Sequence, residues 1–86
     1  MTKVIKFYAD WCGPCRIYAK VFEEVSEQLK DQAEFVNINI EKDKTGLSDE
    51  FKVESIPTTV ILKGDQAKVI KGRLEAKDLH KLIVGE

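Results

Sequence analysis

The chain has 86 residues, of which 14 are Lys or Arg and 15 are Asp or Glu, so its formal net charge is −1. A chain of this length is expected to fold as one small domain whose core comes from a few regular elements. Acidic and basic residues are interspersed without a basic stripe, which argues against nucleic acid as a direct partner. No segment approaches the ~20 apolar residues of a membrane span or has the apolar run of a signal peptide, so we expect a soluble, cytoplasmic protein.

Cys12 lies between the first two predicted elements, and Cys15 lies in the first turn of the second. Residues 3–8 are rich in β-branched and aromatic side chains and predict a strand that ends before Asp10. From position 13 to position 30, apolar residues recur at helical spacing with charged residues mostly on the other side, and Pro14 suits a first helical turn. The pattern therefore predicts a strand, a short loop and a long amphipathic helix.

Five further elements follow in chain order. Residues 34–40 alternate apolar and polar side chains and predict a strand with one well-buried face. Residues 46–53 predict a short helix capped by Thr45, in which Leu47 and Phe51 face inward. Residues 58–63 and 67–71 predict a hairpin with its turn at residues 64–66, and residues 75–84 predict an amphipathic helix.

The resulting element order is βαβαββα. A strand, a crossover helix and a second strand are expected to be parallel and right-handed, whereas a hairpin is antiparallel. We therefore expect an α/β fold with a mixed four-stranded sheet that has helices on both faces.

Cys12 and Cys15 are the only cysteines, and their Cys-X-X-Cys spacing is typical of a reversible dithiol. A structural disulfide between them would close too short a loop to stabilise the fold appreciably, and a reducing compartment would disfavour it. A four-ligand zinc site needs more ligands than these residues and His80, the only histidine, can supply. A metal or cluster site shared between two chains and a vestigial or structural role are the alternatives to redox chemistry.

The placement of the cysteines suggests different roles for them. With Cys12 at the cap of the helix and Cys15 three residues later, free backbone N–H groups and the helix dipole favour a thiolate at the first helical turn. Cys12 is then the nucleophile that attacks a substrate disulfide, and Cys15 resolves the mixed disulfide. Gly13 and Pro14 keep the intervening turn small, and this chemistry requires neither metal nor cofactor.

Three segments, in this order, give the chain a clear resemblance to the thioredoxin family: Trp11-Cys12-Gly13-Pro14-Cys15, Ile56-Pro57-Thr58, and Gly72 before the last helix. The resemblance covers nearly all of residues 1–86 and implies one thioredoxin-like domain. It implies a cis peptide between Ile56 and Pro57, beside the cysteines. It also implies an apolar surface that docks the substrate and includes Trp11, Gly13, Pro14, Ile56, Pro57 and Gly72.

The chain also departs from the family pattern at its N-terminus, because the family's first strand and first helix have no counterpart here. We expect this to leave the strand of residues 35–40 at the edge of the sheet, where Asn37 and Asn39 are tolerated. In this respect the chain is similar to small thioredoxin- or glutaredoxin-like proteins of phage or archaeal type.

A second departure concerns the proton of Cys15. Thioredoxins carry a buried Asp six residues before the first cysteine, where this sequence has Lys6, and Asn37 stands at the position of the family's partner Lys. The alternation along the strand places Lys6 under the helix predicted for residues 13–30, near Cys15. Lys6 either stabilises the Cys15 thiolate or accepts its proton as a neutral amine, or alternatively extends to water along the sheet. Tyr8, where the family usually has Trp, either packs against the motif loop or hydrogen-bonds Asp10 or a loop carbonyl.

These observations and the resemblance predict a protein-disulfide reductase that acts on disulfide-containing proteins. The resemblance implies recycling by a thioredoxin reductase, a glutaredoxin reductase or glutathione. We expect a monomer without nucleic-acid or membrane partners. The alternative function is a non-catalytic partner subunit that uses the docking surface around Trp11 and Pro57.

Overall fold

The computed structural model of the protein describes residues 1–85. Its elements, in chain order, are β1 (Thr2–Tyr8), α1 (Gly13–Leu29), β2 (Ala33–Asn39), α2 (Leu47–Glu50), β3 (Thr58–Lys63), β4 (Gln66–Lys71) and α3 (Ala76–Val84). The predicted order βαβαββα is confirmed, and most predicted boundaries agree to within one residue.

One four-stranded sheet organises these elements in the order β2-β1-β3-β4. β1 pairs with β2 in parallel and with β3 antiparallel, and β3 pairs antiparallel with β4. The mixed sheet is thus confirmed, and β2 lies at an edge as expected. Because β1 and β2 are parallel, both end at the same edge of the sheet, and the segments that follow them lie close together there.

The sheet is covered on both faces. On one face, Val4 and Ile61 pack with the apolar sides of α1 and α3, which contribute residues such as Phe22 and Leu79. The opposite face is covered by α2 and the segment around it; the residues that pack there include Ile5, Phe7, Ile38, Val60, Leu47 and Phe51. The alternation along β1 therefore assigns Val4 and Lys6 to the face under α1, and Ile5 and Phe7 to the face under α2.

The predicted hairpin is present, with a tighter turn than expected. Lys63 pairs with Gln66, so the turn contains only Gly64 and Asp65. Gly64 has a φ of +57°, a left-handed conformation that glycine adopts without the steric penalty of a Cβ.

The prediction for α2 was wrong in length and in its cap. The helix covers only Leu47–Glu50, and its N-cap is Gly46 rather than Thr45. The Thr45 hydroxyl nevertheless accepts a hydrogen bond from the Leu47 N–H at 3.1 Å, and the Asp43 carboxylate accepts hydrogen bonds from the backbone N–H groups of Thr45 and Ser48. Lys52 has a φ of +53°, and this left-handed residue stops the helix before Val53.

Among residues 1–85, no helix combines the length and the apolar character needed to cross a membrane.

Candidate active site

The N-terminus of α1 holds both cysteines. Cys12 is the N-cap residue, with an extended backbone (φ −86°, ψ 111°), and its Sγ accepts a hydrogen bond from the Cys15 N–H at 3.2 Å. The two side chains form a disulfide, with their Cα atoms 5.2 Å apart. Pro14 lies in the first turn, where a residue without an N–H leaves no donor unpaired. The first turn of the helix thus leaves the Cys15 N–H without a backbone acceptor, and this N–H donates to the sulfur predicted to be the nucleophile.

The loop before β3 lies against Cys12. Its Ile56-Pro57 peptide bond is cis, as the resemblance implied. The Ile56 carbonyl oxygen is 3.9 Å from Cys12 Sγ. The Pro57 carbonyl oxygen accepts a hydrogen bond from the Gly72 N–H at 2.8 Å, and this bond ties the loop to the segment after β4. Segments far apart in the sequence are therefore held together around Cys12.

The residues predicted to dock the substrate differ in exposure. Trp11 is 65% exposed, and Gly13 and Pro14 are also exposed. Ile56 and Gly72 are half-buried, whereas Pro57 is buried. The Pro57 side chain is therefore not part of the exposed surface beside Cys12.

Glu41 is a site residue that the sequence analysis did not identify. One of its carboxylate oxygens accepts a hydrogen bond from the Trp11 indole Nε1 at 3.0 Å. Both residues follow parallel strands that end at the same edge of the sheet, Trp11 after β1 and Glu41 after β2. This topology was the available signal, because it places the two loops side by side.

Lys6 lies beneath α1, as predicted, and its side chain is only 5% exposed. It lines a groove of about 550 Å³ together with Cys15 and Asn37, its neighbour on β2. The Lys6 Nζ is 5.0 Å from the centroid of the Phe22 ring and 5.3 Å from that of the Tyr8 ring. Among residues 1–85 it has no ion-pair partner within 4.0 Å. Burial lowers the pKa of this amine, and the negative charge of Glu23 opposes that shift.

The position of the Tyr8 side chain confirms one of the two predictions made for it. The Tyr8 side chain packs against the small cluster formed by Ala9, Cys12 and Cys15. The Asp10 carbonyl oxygen accepts instead from the guanidinium of Arg16, whose Nη2 and Nε lie at 3.0 and 3.3 Å. Arg16 thereby fastens the loop to the first turn of α1.

No cluster of three or more His, Cys, Asp or Glu side chains with metal-site geometry occurs in the part of the chain that the structure describes. His80 lines a separate groove with Glu24 and Gln28 of α1, away from both cysteines.

Comparison with known proteins places this site in a family context. The family model described as Thioredoxin matches residues 1–84. Thioredoxin Y1, chloroplastic, of Arabidopsis thaliana is 38% identical over 77 residues, which are 88% of this chain and 44% of the relative. The thioredoxin of Mycoplasmoides gallisepticum is 36% identical over 81 residues, which are 93% of this chain and 79% of the relative. The chain thus spans less than half of the chloroplastic relative and about four fifths of the bacterial one.

Solved structures of thioredoxins have the same fold as this chain. Chloroplastic thioredoxin z superposes with a TM-score of 0.87 at 28% identity, covering 99% of this chain and 77% of that one. The germline-specific thioredoxin Deadhead of Drosophila melanogaster superposes with a TM-score of 0.84 at 26% identity, covering 98% of this chain and 79% of that one.

Proposed function

The chain belongs to the thioredoxin family, and we propose that it is a protein-disulfide reductase that acts by thiol–disulfide exchange on disulfide-containing proteins. The observation that carries the proposal is the position of Cys12. Its sulfur caps α1 and lies 3.9 Å from the Ile56 carbonyl oxygen of the cis-proline loop, and the preceding residue, Trp11, is exposed. This arrangement combines an activated sulfur with a surface for an incoming chain.

The proposed reaction begins with the reduced dithiol. The Cys12 thiolate attacks one sulfur of the substrate disulfide, so that a Cys12–substrate bond forms while the second substrate sulfur leaves as a thiolate and takes up a proton. The Cys15 thiolate then attacks Cys12 Sγ, which releases the first substrate sulfur and forms the Cys12–Cys15 disulfide. Two electrons have passed to the substrate, and the structure describes the resulting oxidised protein.

The surface around the dithiol is proposed to dock the substrate. Trp11, Gly13 and Pro14 are neighbours of Cys12 in the chain, and the loop of Ile56 and the buried Pro57, hydrogen-bonded to Gly72, lies against the Cys12 sulfur. The Ile56 N–H and C=O groups are suited to pair with an extended substrate segment, as in β-strand addition.

Lys6 is proposed to accept the proton of Cys15 or to stabilise the Cys15 thiolate. Its amine borders the groove that Cys15 also lines, and burial lowers its pKa, so the neutral form is more accessible than in an exposed lysine. It can therefore accept the Cys15 proton when that thiol attacks the mixed disulfide. When protonated, it can instead stabilise the thiolate.

The assay for the reductase function is dithiothreitol-dependent reduction of insulin, followed by precipitation of the freed chains. The wild type is expected to accelerate the reaction, and Cys12→Ser to abolish the acceleration. Cys15→Ser is expected to trap a mixed disulfide with the substrate. No acceleration by a folded, reduced wild type would contradict the proposal and favour the partner-subunit alternative, in which a Cys12→Ser/Cys15→Ser double variant keeps its binding function.

The role of Lys6 is tested by the pH profile of the same reaction. Lys6→Met is expected to shift the profile, because the group that receives or stabilises the Cys15 proton is lost. Lys3→Met is the matched control, since Lys3 lies on the same strand but on the opposite face of the sheet. Superimposable wild-type and Lys6→Met profiles would contradict the role. The reduction potential of the Cys12/Cys15 dithiol is a separate test of the reductase function. A strongly reducing value is expected of a reductase.

We further propose that the chain works as one thioredoxin-like domain and as a monomer in the cytoplasm, where a reducing environment suits a reversible dithiol. The proposed electron donor is a thioredoxin reductase, a glutaredoxin reductase or glutathione. The donor is identified by supplying each one with NADPH, and with glutathione reductase in the glutathione assay, and by following insulin reduction.

A further inference from the structure

A second groove extends the surface around the dithiol along the opposite side of α1 from Lys6. It has a volume of about 440 Å³ and lies between α1 and the segment after β4. Its lining residues are Ile17, Tyr18, Val21, Arg73, Leu74 and Glu75. Three of the lining residues, Ile17, Val21 and Leu74, are apolar, and the two charged residues, Arg73 and Glu75, belong to one side.

The groove lies next to the site around Cys12. One wall begins at Arg73, next to Gly72, whose N–H is bonded to the Pro57 carbonyl oxygen. The other wall includes Ile17, which follows Cys15 by two residues on α1. A substrate segment lying over the cis-proline loop therefore reaches the groove without leaving the surface of the protein.

The distances fit a specific part of the substrate. Ile17 is five residues after Cys12, which corresponds to about 7.5 Å along the axis of a helix. An extended chain advances about 3.3 Å per residue. The side chain that meets the groove is thus two or three residues from the substrate cysteine that bonds to Cys12.

The exposure and charge of the lining residues indicate what that side chain is. Ile17 is 57% exposed at the mouth of this groove, and burying it against a substrate would remove apolar surface from water. Arg73 has no carboxylate within 4.0 Å among residues 1–85, whereas Glu75 lies 4.0 Å from the Lys77 Nζ. Lys71 is also exposed, two residues before Arg73. Lys71 and Arg73 together outweigh the single negative charge of Glu75, so the net charge at this end of the groove is positive.

We propose that this groove is a specificity subsite that takes an apolar substrate side chain two or three residues from the reacting cysteine, with a neighbouring acidic residue paired to Arg73. The inference rests on the proposed reductase function and adds a substrate class to it: disulfides flanked by an apolar and an acidic residue. Such a subsite would select among disulfides that Cys12 attacks equally well.

The test uses peptides whose single cysteine forms a mixed disulfide with 2-nitro-5-thiobenzoate, the release of which is coloured. Four peptides carry Leu-Glu, Ser-Glu, Leu-Lys or Ser-Lys at the second and third positions from the cysteine, and the set is made once on each side of it. Rates are measured in single turnovers of the reduced protein at limiting peptide concentration. Of the two Leu-Glu peptides, the one that presents its Leu to the groove is expected to react about fivefold faster than the Ser-Lys peptide of the same orientation.

The variants separate the two contributions. Ile17→Ser is expected to abolish the preference for Leu over Ser, and Arg73→Glu to reverse the preference for Glu over Lys. Val69→Ser and Lys44→Glu are the controls, because both residues are exposed and neither lines the groove. Unchanged preferences in Ile17→Ser and Arg73→Glu would overturn the subsite.

The failure of the subsite and that of the reductase function are distinguishable. Equal rates for all peptides, together with normal insulin reduction, would overturn the subsite alone. Inertness toward both the peptides and insulin would overturn the subsite and the reductase function together.

Discussion

The Lys6 Nζ lies 5.0 Å from the centre of the Phe22 ring, inside the interface between β1 and α1. A second ring, that of Tyr8, is at 5.3 Å. Aromatic faces attract a cation, but they replace only part of the hydration that the ammonium loses on burial. Burial of the Lys6 ammonium therefore costs stability, whereas the lowered pKa of the amine favours a role in proton transfer.

Lys6→Met is expected to stabilise the fold at pH 7. Because burial lowers the pKa of Lys6, the folded protein binds fewer protons than the unfolded chain between that lowered pKa and about 10.4, the ordinary value. The wild type should therefore gain stability as the pH rises through this window, and Lys6→Met should not. Met keeps most of the apolar contacts of the Lys6 stem and removes the cost of burying an ammonium, and we expect a modest gain because Glu23 offsets part of that cost.

Urea unfolding of the reduced protein at several pH values between 7 and 9.5 measures the effect. Lys3→Met, on the other face of the same strand, should change the free energy of unfolding by less than about 0.5 kcal/mol. A Lys6→Met variant less stable than the wild type at pH 7 would show that the amine is favourably solvated in the folded state.

Tyr18→Phe is expected to destabilise the fold through Thr59. The two hydroxyls share a hydrogen bond of 2.7 Å, and both side chains are fully buried. Removing one hydroxyl leaves the other without a partner, at a cost of about 1–3 kcal/mol. The double variant Tyr18→Phe/Thr59→Val removes both hydroxyls, so its loss should be smaller than the sum of the two single losses. Additive losses in urea unfolding would contradict the pairing.

Much of this architecture was predictable because it depends on short-range periodicity. Alternation along β1 placed Lys6 on the face under α1, and the parallel crossover together with the hairpin determined how the strands pair. The cis bond before Pro57 was predicted from the resemblance, since a proline in this context otherwise fits an ordinary edge strand.

The errors and omissions arose where a few specific hydrogen bonds decide the structure. Nothing in the apolar pattern showed that Asp43 would join Thr45 in accepting backbone hydrogen bonds at the start of α2. The bond between Trp11 and Glu41 joins residues 30 positions apart, so it became apparent only once the two loops were placed side by side. The groove beside Arg73 depends likewise on packing between α1 and a loop, which periodicity does not describe.

Glu41→Ala is expected to weaken substrate binding more than turnover. The carboxylate holds the exposed Trp11 indole beside Cys12, and a hydrogen bond of this kind is worth about 0.5–1.5 kcal/mol. We therefore expect KM for insulin to rise about two- to fivefold with a nearly unchanged kcat. Glu41→Gln keeps an acceptor oxygen and should stay close to the wild type. Trp11 is the only tryptophan, so a change in its fluorescence in Glu41→Ala but not in Glu41→Gln would report the lost bond.

Asp43→Asn is expected to weaken the α2 segment and to remove an acid-dependent part of the stability. Hydrogen bonds from Thr45 and Ser48 lower the pKa of the Asp43 carboxyl, because they favour its ionised form. A lowered folded-state pKa means that this stabilisation is present above about pH 4, the ordinary value, and is lost as the pH falls below it. The urea midpoint of the wild type should therefore fall more steeply between about pH 5 and pH 2 than that of Asp43→Asn. Asp49→Asn is the matched control, since Asp49 lies in α2 and its side chain accepts no hydrogen bond from residues 1–85. Parallel curves for the wild type and Asp43→Asn would show that the charge of Asp43 does not stabilise this segment.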